Sequence, residues 1–171
     1  ESLISLQEYL DRKGCLHENE ARQITRQIAF TLNNLMTMGV FHRDVKPGNI
    51  LVDVETGETK IIDFGCGDLV RKGFYTFFSG TNMFMPPEWF REGMYSAEEA
   101  TVWTLGLVHL IMVTGLHPFR TFDDIAACHL YKYVPTTLSP ESKNFIFQCM
   151  ASDPGRRSKL HDIVFHPFLN C

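Results

Sequence analysis

Four stretches of this sequence carry side chains whose types and order suit the handling of charge. They are His42-Arg43-Asp44-Val45-Lys46-Pro47-Gly48-Asn49, Asp63-Phe64-Gly65, Gly80-Thr81 and Pro86-Pro87-Glu88. Asp44 is a carboxylate able to accept a proton from a hydroxyl. Lys46, two positions on in an extended loop, projects to the same side and offers a compact positive charge to an anionic group. Asn49 and Asp63 offer an amide oxygen and a carboxylate, hard ligands of the kind magnesium prefers. Alone, a His-Arg-Asp or an Asp-Phe-Gly tripeptide is more often a set of turn residues ending a strand. Their occurrence together, in this order and spacing, overrides that reading.

Positioning these groups requires a hairpin and a set of helices. Ile50-Leu51-Val52-Asp53 and Thr59-Lys60-Ile61-Ile62 are short apolar runs flanking Glu55-Thr56-Gly57-Glu58, which predicts a β-hairpin that brings Asn49 and Asp63 together across neighbouring strands. Ala21, Ile24, Ile28, Leu32 and Leu35 recur every three or four residues up to Gly39, an amphipathic helix that delivers the chain into the first stretch. Leu3, Leu6 and Leu10 predict a short helix before it. Val102 to Val113 is apolar nearly all round, contains His109 and is too short to cross a bilayer, so it reads as a buried central helix stopped by Gly115. Further helices are expected from Thr121 near Asp123 and Asp124, from Ser139-Pro140-Glu141, and from Leu160 to Val164. The fold class is therefore mainly α with a short β-hairpin.

Composition fits one globular domain or part of one: 171 residues, 44% hydrophobic and 21% charged. A formal net charge of −4 gives no electrostatic footprint for nucleic acid or for an acidic membrane surface. The five cysteines, Cys15, Cys66, Cys128, Cys149 and Cys171, are odd in number and spaced for neither a disulfide framework nor zinc, which fits a reducing, cytoplasmic or nuclear compartment. Cys66 is either a small buried apolar residue or a thiol beside a nucleotide site. His42 reads as a packed residue of its loop and not as a base.

Taken together, the four stretches resemble the catalytic loop, metal-binding loop and substrate-docking segment of a protein kinase. The layout is similar to the helical C-terminal lobe of the protein-kinase-like fold, from its fourth helix to its end, over the whole of residues 1–171. That resemblance implies ATP- and magnesium-dependent phosphoryl transfer to hydroxyls of a protein substrate. Asp44 would accept the proton of the attacking hydroxyl and Lys46 would steady the transferring phosphate. Thr81 would bond Asp44 or Lys46, donating to the carboxylate and leaving the lysine free. Leu51 would form the floor under the adenine ring, Ile62 would lie beside the phosphates, Asn49 would contact the nucleotide, and Asn49 and Asp63 would ligate magnesium. Lys46 marks a Ser/Thr kinase. Pro86-Pro87-Glu88-Trp89 and Thr101-Val102-Trp103-Thr104-Leu105-Gly106 make the PIM kinases the most similar group, although those carry Ala and not Thr at the second oddity.

The resemblance also implies a Gly-rich loop, a phosphate-pairing Lys and an ion-pair Glu, and none of these precedes Glu1. The expectation is a partial kinase domain whose N-terminal lobe is missing and would act in cis if the chain is a fragment; the alternative is a noncatalytic, kinase-like interaction module. Gly48 stands where many kinases carry a substrate-reading acid, leaving Glu8, Asp123 and Asp124 as either readers of a basic substrate or a solvated acidic face. Phe77 stands where a phosphorylated Thr or an acid would pair with Arg43, so Arg43 is expected to need another partner, which Ser79 or Thr76 could supply if phosphorylated. Glu88 is expected to form an ion pair with Arg157.

Overall fold

A computed structural model describes residues 2–171. Two long helices form its centre: α2 (Glu18–Thr37) packs along α4 (Ala97–Thr114), counting from a short α1 (Leu6–Lys13) and with α3 (Pro87–Glu92) between them. On the other side of α4 lies α6 (Pro140–Cys149), reached through α5 (Phe122–Ala127), and α7 (Leu160–Ile163) closes the chain against α2.

α4 is apolar on every face because every face is covered. Val102, Trp103, Leu105, Leu107, Val108, Leu110 and Met112 are buried, each large aliphatic side chain contributing about 1.5–3 kcal/mol. Gly106 permits the close approach of α6. A Cβ there would lie 2.5 Å from the Cys149 Cβ and 2.7 Å from the Met150 Cγ. Gly115, in the left-handed region at φ 76, ends the helix as its sequence position suggested. Thr121 and Asp124 form a reciprocal capping box on α5, and Ser139 caps α6 by accepting the Ser142 N–H at 3.1 Å.

The expected hairpin is present as β3 (Ile50–Asp53) paired antiparallel with β4 (Thr59–Ile61), preceded in the chain by β1 (Leu3–Ser5) and β2 (Val40–Phe41). Its register is Ile50↔Ile61 and Val52↔Thr59. The predicted first helix needs correction at its start. Leu3 lies in β1, which pairs with the free edge of β3 in the register Leu3↔Asp53 and Ser5↔Leu51, and the helix begins only at Leu6. Ser5 both ends the strand and caps α1, accepting the Glu8 N–H at 3.0 Å.

A second, two-stranded sheet had no counterpart in the sequence reading: β2 pairs antiparallel with β5 (Asp68–Leu69) in the register Val40↔Leu69 and Phe41↔Asp68. It covers a small aromatic core of Phe41, Tyr75, Met85 and Tyr95, which packs on Ala97 and Ala100 at the start of α4 and is distinct from the main core. Tyr75 and Tyr95 exchange backbone bonds of 2.7 and 3.1 Å. Among the described residues, no helix is long and apolar enough to cross a membrane.

Candidate active site

α2 ends near Gly39, and β2 carries the chain directly into His42-Arg43-Asp44. His42 is buried and accepts the Asp44 N–H at its Nδ1, 3.1 Å away. Its proton therefore sits on Nε2, which donates to the Ile62 carbonyl at 2.9 Å. The imidazole ties the loop to the end of the hairpin, as expected of a packed residue, and has no nitrogen left for a reaction. The Phe64 ring stacks edge-on against it.

Backbone strain is concentrated on both sides of this loop. Arg43 at φ 70 and Asp63 at φ 61 are non-glycine residues in the left-handed region, a state that costs about 1–3 kcal/mol and persists only where surrounding contacts enforce it. Asn49 supplies several of these contacts. Its Nδ2 donates to the Asp44 carbonyl at 2.8 Å and to Asp44 Oδ2 at 3.1 Å, and its backbone carbonyl accepts the Ile62 N–H at 2.9 Å. Because both side-chain partners are acceptors, the amide orientation is fixed and its oxygen remains uncommitted.

The carboxylate of Asp44 gathers the remaining groups. Thr81 Oγ1 donates to Asp44 Oδ1 at 2.6 Å, and Lys46 Nζ donates to Thr81 Oγ1 at 2.8 Å while lying 3.9 Å from Asp44 Oδ2. Thr81 thus touches both residues between which the sequence reading had to choose. One detail is corrected: Lys46 is not left free, since the hydroxyl has lone pairs to accept one of its three N–H groups. Gly80 makes this docking possible. At φ 118 it passes so close to the His42–Asn49 loop that a Cβ would lie 2.6 Å from the Arg43 carbonyl oxygen.

The residues expected on the nucleotide and metal side lie along the hairpin and just beyond it. Ile50 and Val52 point into the core, so Leu51 takes the opposite face and is half-buried, as is Ile62. Asp63 is exposed, with Oδ1 accepting the Gly65 N–H at 3.1 Å. Among the described residues, no group of three or more His, Cys, Asp or Glu side chains could hold a metal ion. An amide oxygen and a carboxylate such as those of Asn49 and Asp63 are a donor set of the kind that suits magnesium, which keeps water and phosphate oxygens in most of its positions.

Two arginines complete the site's support. Arg157 meets Glu88 in the expected buried ion pair, with Nη1 and Nη2 each 2.7 Å from a carboxylate oxygen. Arg43 has another partner, as expected, and it is Asp68: Nη2 donates to Asp68 Oδ2 at 2.7 Å, and Phe77 packs its ring 4.8 Å from the guanidinium carbon. The sequence reading missed Asp68 because only the pairing of two-residue strands, 27 positions apart at Phe41↔Asp68, brings it there.

Other candidates resolve into ordinary roles. Glu8 pairs with Arg12 on the exposed face of α1, and Asp124 accepts the Arg120 and Thr121 N–H groups. All five cysteines are free; Cys128 and Cys149 are buried, and Cys66 is half-buried.

A strained loop thus presents Asp44, Lys46 and Asn49 to a docked Thr81 beside the Asp-Phe-Gly turn. The sequence pattern of the protein kinase domain matches residues 2–169, and the chain belongs to the protein kinase family. It is similar to the serine/threonine-protein kinase prk-2 of Caenorhabditis elegans, 38% identical over 168 residues that cover 97% of this chain and 38% of that protein. It is also similar to the serine/threonine-protein kinase pim-2 of Danio rerio, 36% identical over 95% of this chain and 52% of the relative, and to an Aurora kinase of Dictyostelium discoideum, 34% identical over 94% and 42%. The chain thus spans about two fifths to one half of the length of these relatives.

Proposed function

We propose that this chain serves as the helical C-terminal lobe of an ATP- and magnesium-dependent kinase that phosphorylates Ser/Thr hydroxyls of protein substrates, within a PIM-like branch of the family. The observation that carries the reading is the Lys46–Thr81–Asp44 chain of hydrogen bonds, with Asn49 bonded to the same carboxylate. Bound ATP would supply the phosphoryl group, and magnesium would neutralise its phosphates. Asp44, oriented by Thr81 and Asn49, takes the proton from the attacking substrate hydroxyl. Lys46 keeps two N–H groups for the transferring phosphate, while the uncommitted Asn49 oxygen and Asp63 hold the cation. Leu51 and Ile62 face the nucleotide from the outer side of the hairpin. PIM-like membership is supported by Pro86-Pro87-Glu88-Trp89 and by the pim-2 likeness, and the free thiols suit a reducing compartment such as the cytoplasm.

Residues 1–171 read as a partial domain that works with an upstream lobe carrying the Gly-rich loop and the phosphate-pairing lysine. Alone they are expected to transfer little phosphate, since Asn49 and Asp63 can hold magnesium only against phosphates already in place. The test is Asp44→Asn in a protein that includes the upstream lobe. Turnover should fall about 10²–10⁴-fold with nucleotide binding retained, because the near-isosteric amide cannot accept the proton. Unchanged turnover would refute the assignment, and a wild-type protein with no transfer at all would favour a noncatalytic interaction module.

A further inference from the structure

The segment from Asp68 to Thr81 is set in place by more bonds than its irregular backbone suggests. Asp68 Oδ2 accepts from Arg43 Nη2 at 2.7 Å and from Arg71 Nη2 at 2.8 Å, and Oδ1 accepts the Leu69 N–H at 2.8 Å. That backbone bond first, and then the two arginines, hold its carboxyl below the usual carboxylate range. Tyr75 Oη accepts the Arg71 N–H at 3.1 Å and donates to the Leu69 carbonyl at 2.8 Å, while Tyr95 Oη donates to the Phe77 carbonyl at 3.2 Å. The Arg43 side chain is only 5% exposed, and its guanidinium carbon lies 4.8, 5.2 and 5.9 Å from the rings of Phe77, Tyr75 and Phe41. One residue away, the Asp44 carboxylate holds Thr81.

Arg43 has a further property that separates two kinds of counter-ion. Its Nε and Nη1 are buried and meet no hydrogen-bond partner among the described residues. The cavity that Arg43 borders, together with Ser79, Thr101 and Thr104, measures about 20 Å³. That is room for one water and far too little for a phosphate group.

We infer that Asp68 is a resident counter-ion for Arg43, a positioning residue that fixes the segment from Leu69 to Thr81 against the catalytic loop without any phosphate. The inference rests on the kinase reading only for its consequence, an active arrangement of Thr81 and Asp44 that needs no prior phosphorylation; the clasp itself is a property of the fold. Asp68 acts through Arg43 and touches neither substrate nor nucleotide.

Amide hydrogen exchange on the protein, stripped of phosphate by a broad-specificity phosphatase and checked by intact mass, tests this without reading catalysis. The reporters are the Val70 N–H, bonded to the Gly39 carbonyl at 2.8 Å, and the Tyr75 N–H, bonded to the Tyr95 carbonyl at 2.7 Å. Both should stay protected in the dephosphorylated wild type. In Asp68→Asn they should exchange at least about tenfold faster while the amides of α4 keep their protection, and Asp68→Glu, which restores the charge, should exchange like the wild type. Wild-type protection at Val70 and Tyr75 in Asp68→Asn would overturn the inference, as would a dephosphorylated wild type that exchanges like the Asn variant. Because no turnover is measured, a failure of the kinase reading would show in the Asp44→Asn experiment and leave this result standing.

Discussion

Arg157 and Arg43 are both buried, yet the fold treats them in opposite ways. Arg157 engages every nitrogen: Nη1 and Nη2 on the two oxygens of Glu88, Nη1 again on the Glu99 carbonyl at 3.0 Å, and Nε on the Ala151 carbonyl at 2.9 Å, with the Trp103 ring 5.2 Å from its guanidinium carbon. Arg43 makes one charged bond and leaves two nitrogens without partners. Its cage is made of aromatic faces. The difference is one of purpose. A fully satisfied pair bolts α3 to the end of the lobe permanently, whereas a guanidinium held by rings and one half-exposed carboxylate sets a loop that can be released at modest cost.

The largest effect that would test this contrast is at Arg157. Arg157→Met should destabilise the protein by about 3–5 kcal/mol, because Glu88 is then left charged and unpaired in the interior. The double change Arg157→Met with Glu88→Leu should recover most of that loss in a chemical denaturation series. A single variant with near-native stability would show that Glu88 finds water on its own, and the bolt would be no bolt.

A pH titration sharpens the same contrast from inside the helical core. His109 is fully buried between α2, α4 and α6. The Thr25 hydroxyl donates to the Ala21 carbonyl at 2.7 Å, so it must accept from His109 Nδ1 at 2.8 Å, and Nε2 then faces the Ser142 hydroxyl at 3.3 Å. Burial pushes its pKa from 6.5 to about 3. Above pH 6.5 the group is neutral folded and unfolded, and it contributes no slope. As pH falls below 6.5 the unfolded chain gains a proton that the folded one refuses, so stability should fall by up to about 1.4 kcal/mol per pH unit. Burial also lowers His117 and His166, which add in the same direction. Between pH 6.5 and 4.5, His109→Gln should show a clearly flatter profile than the wild type, and an unchanged slope would mean that the imidazole reaches solvent.

What could be read from the sequence follows the same division between local and distant causes. The Asp44, Lys46 and Asn49 cluster was legible because all three lie within one loop, and the hairpin because its strands are consecutive with a Gly57 turn between them. The Glu88–Arg157 contact, though distant in sequence, was legible through a family likeness. Leu3 deceived because its spacing with Leu6 and Leu10 fits a helix, while the pairing that makes it a strand depends on an edge offered by Asp53, fifty residues on. Asp68 left no signal at all. Two-residue strands show no alternation, and nothing local distinguishes this aspartate from a solvated one.

The smallest expected effect tests the other half of the contrast. Arg43→Met keeps an unbranched apolar stem against Phe41, Tyr75 and Phe77 and removes the two unpartnered nitrogens from the interior, so packing is kept while the cation–ring attraction, about 1–2 kcal/mol, is lost. Asp68 is not stranded by the change, since its carboxylate is partly exposed and still accepts from Arg71 and from the Leu69 N–H. The melting temperature should therefore drop clearly less than in Arg157→Met, and the loss should be local, with faster exchange at Tyr75 and native exchange along α4. If Arg43→Met were to unfold the protein as Arg157→Met does, the strained φ of 70 at Arg43 would have to be enforced by the guanidinium itself, and the loop would be as permanent a part of the fold as the bolt beneath it.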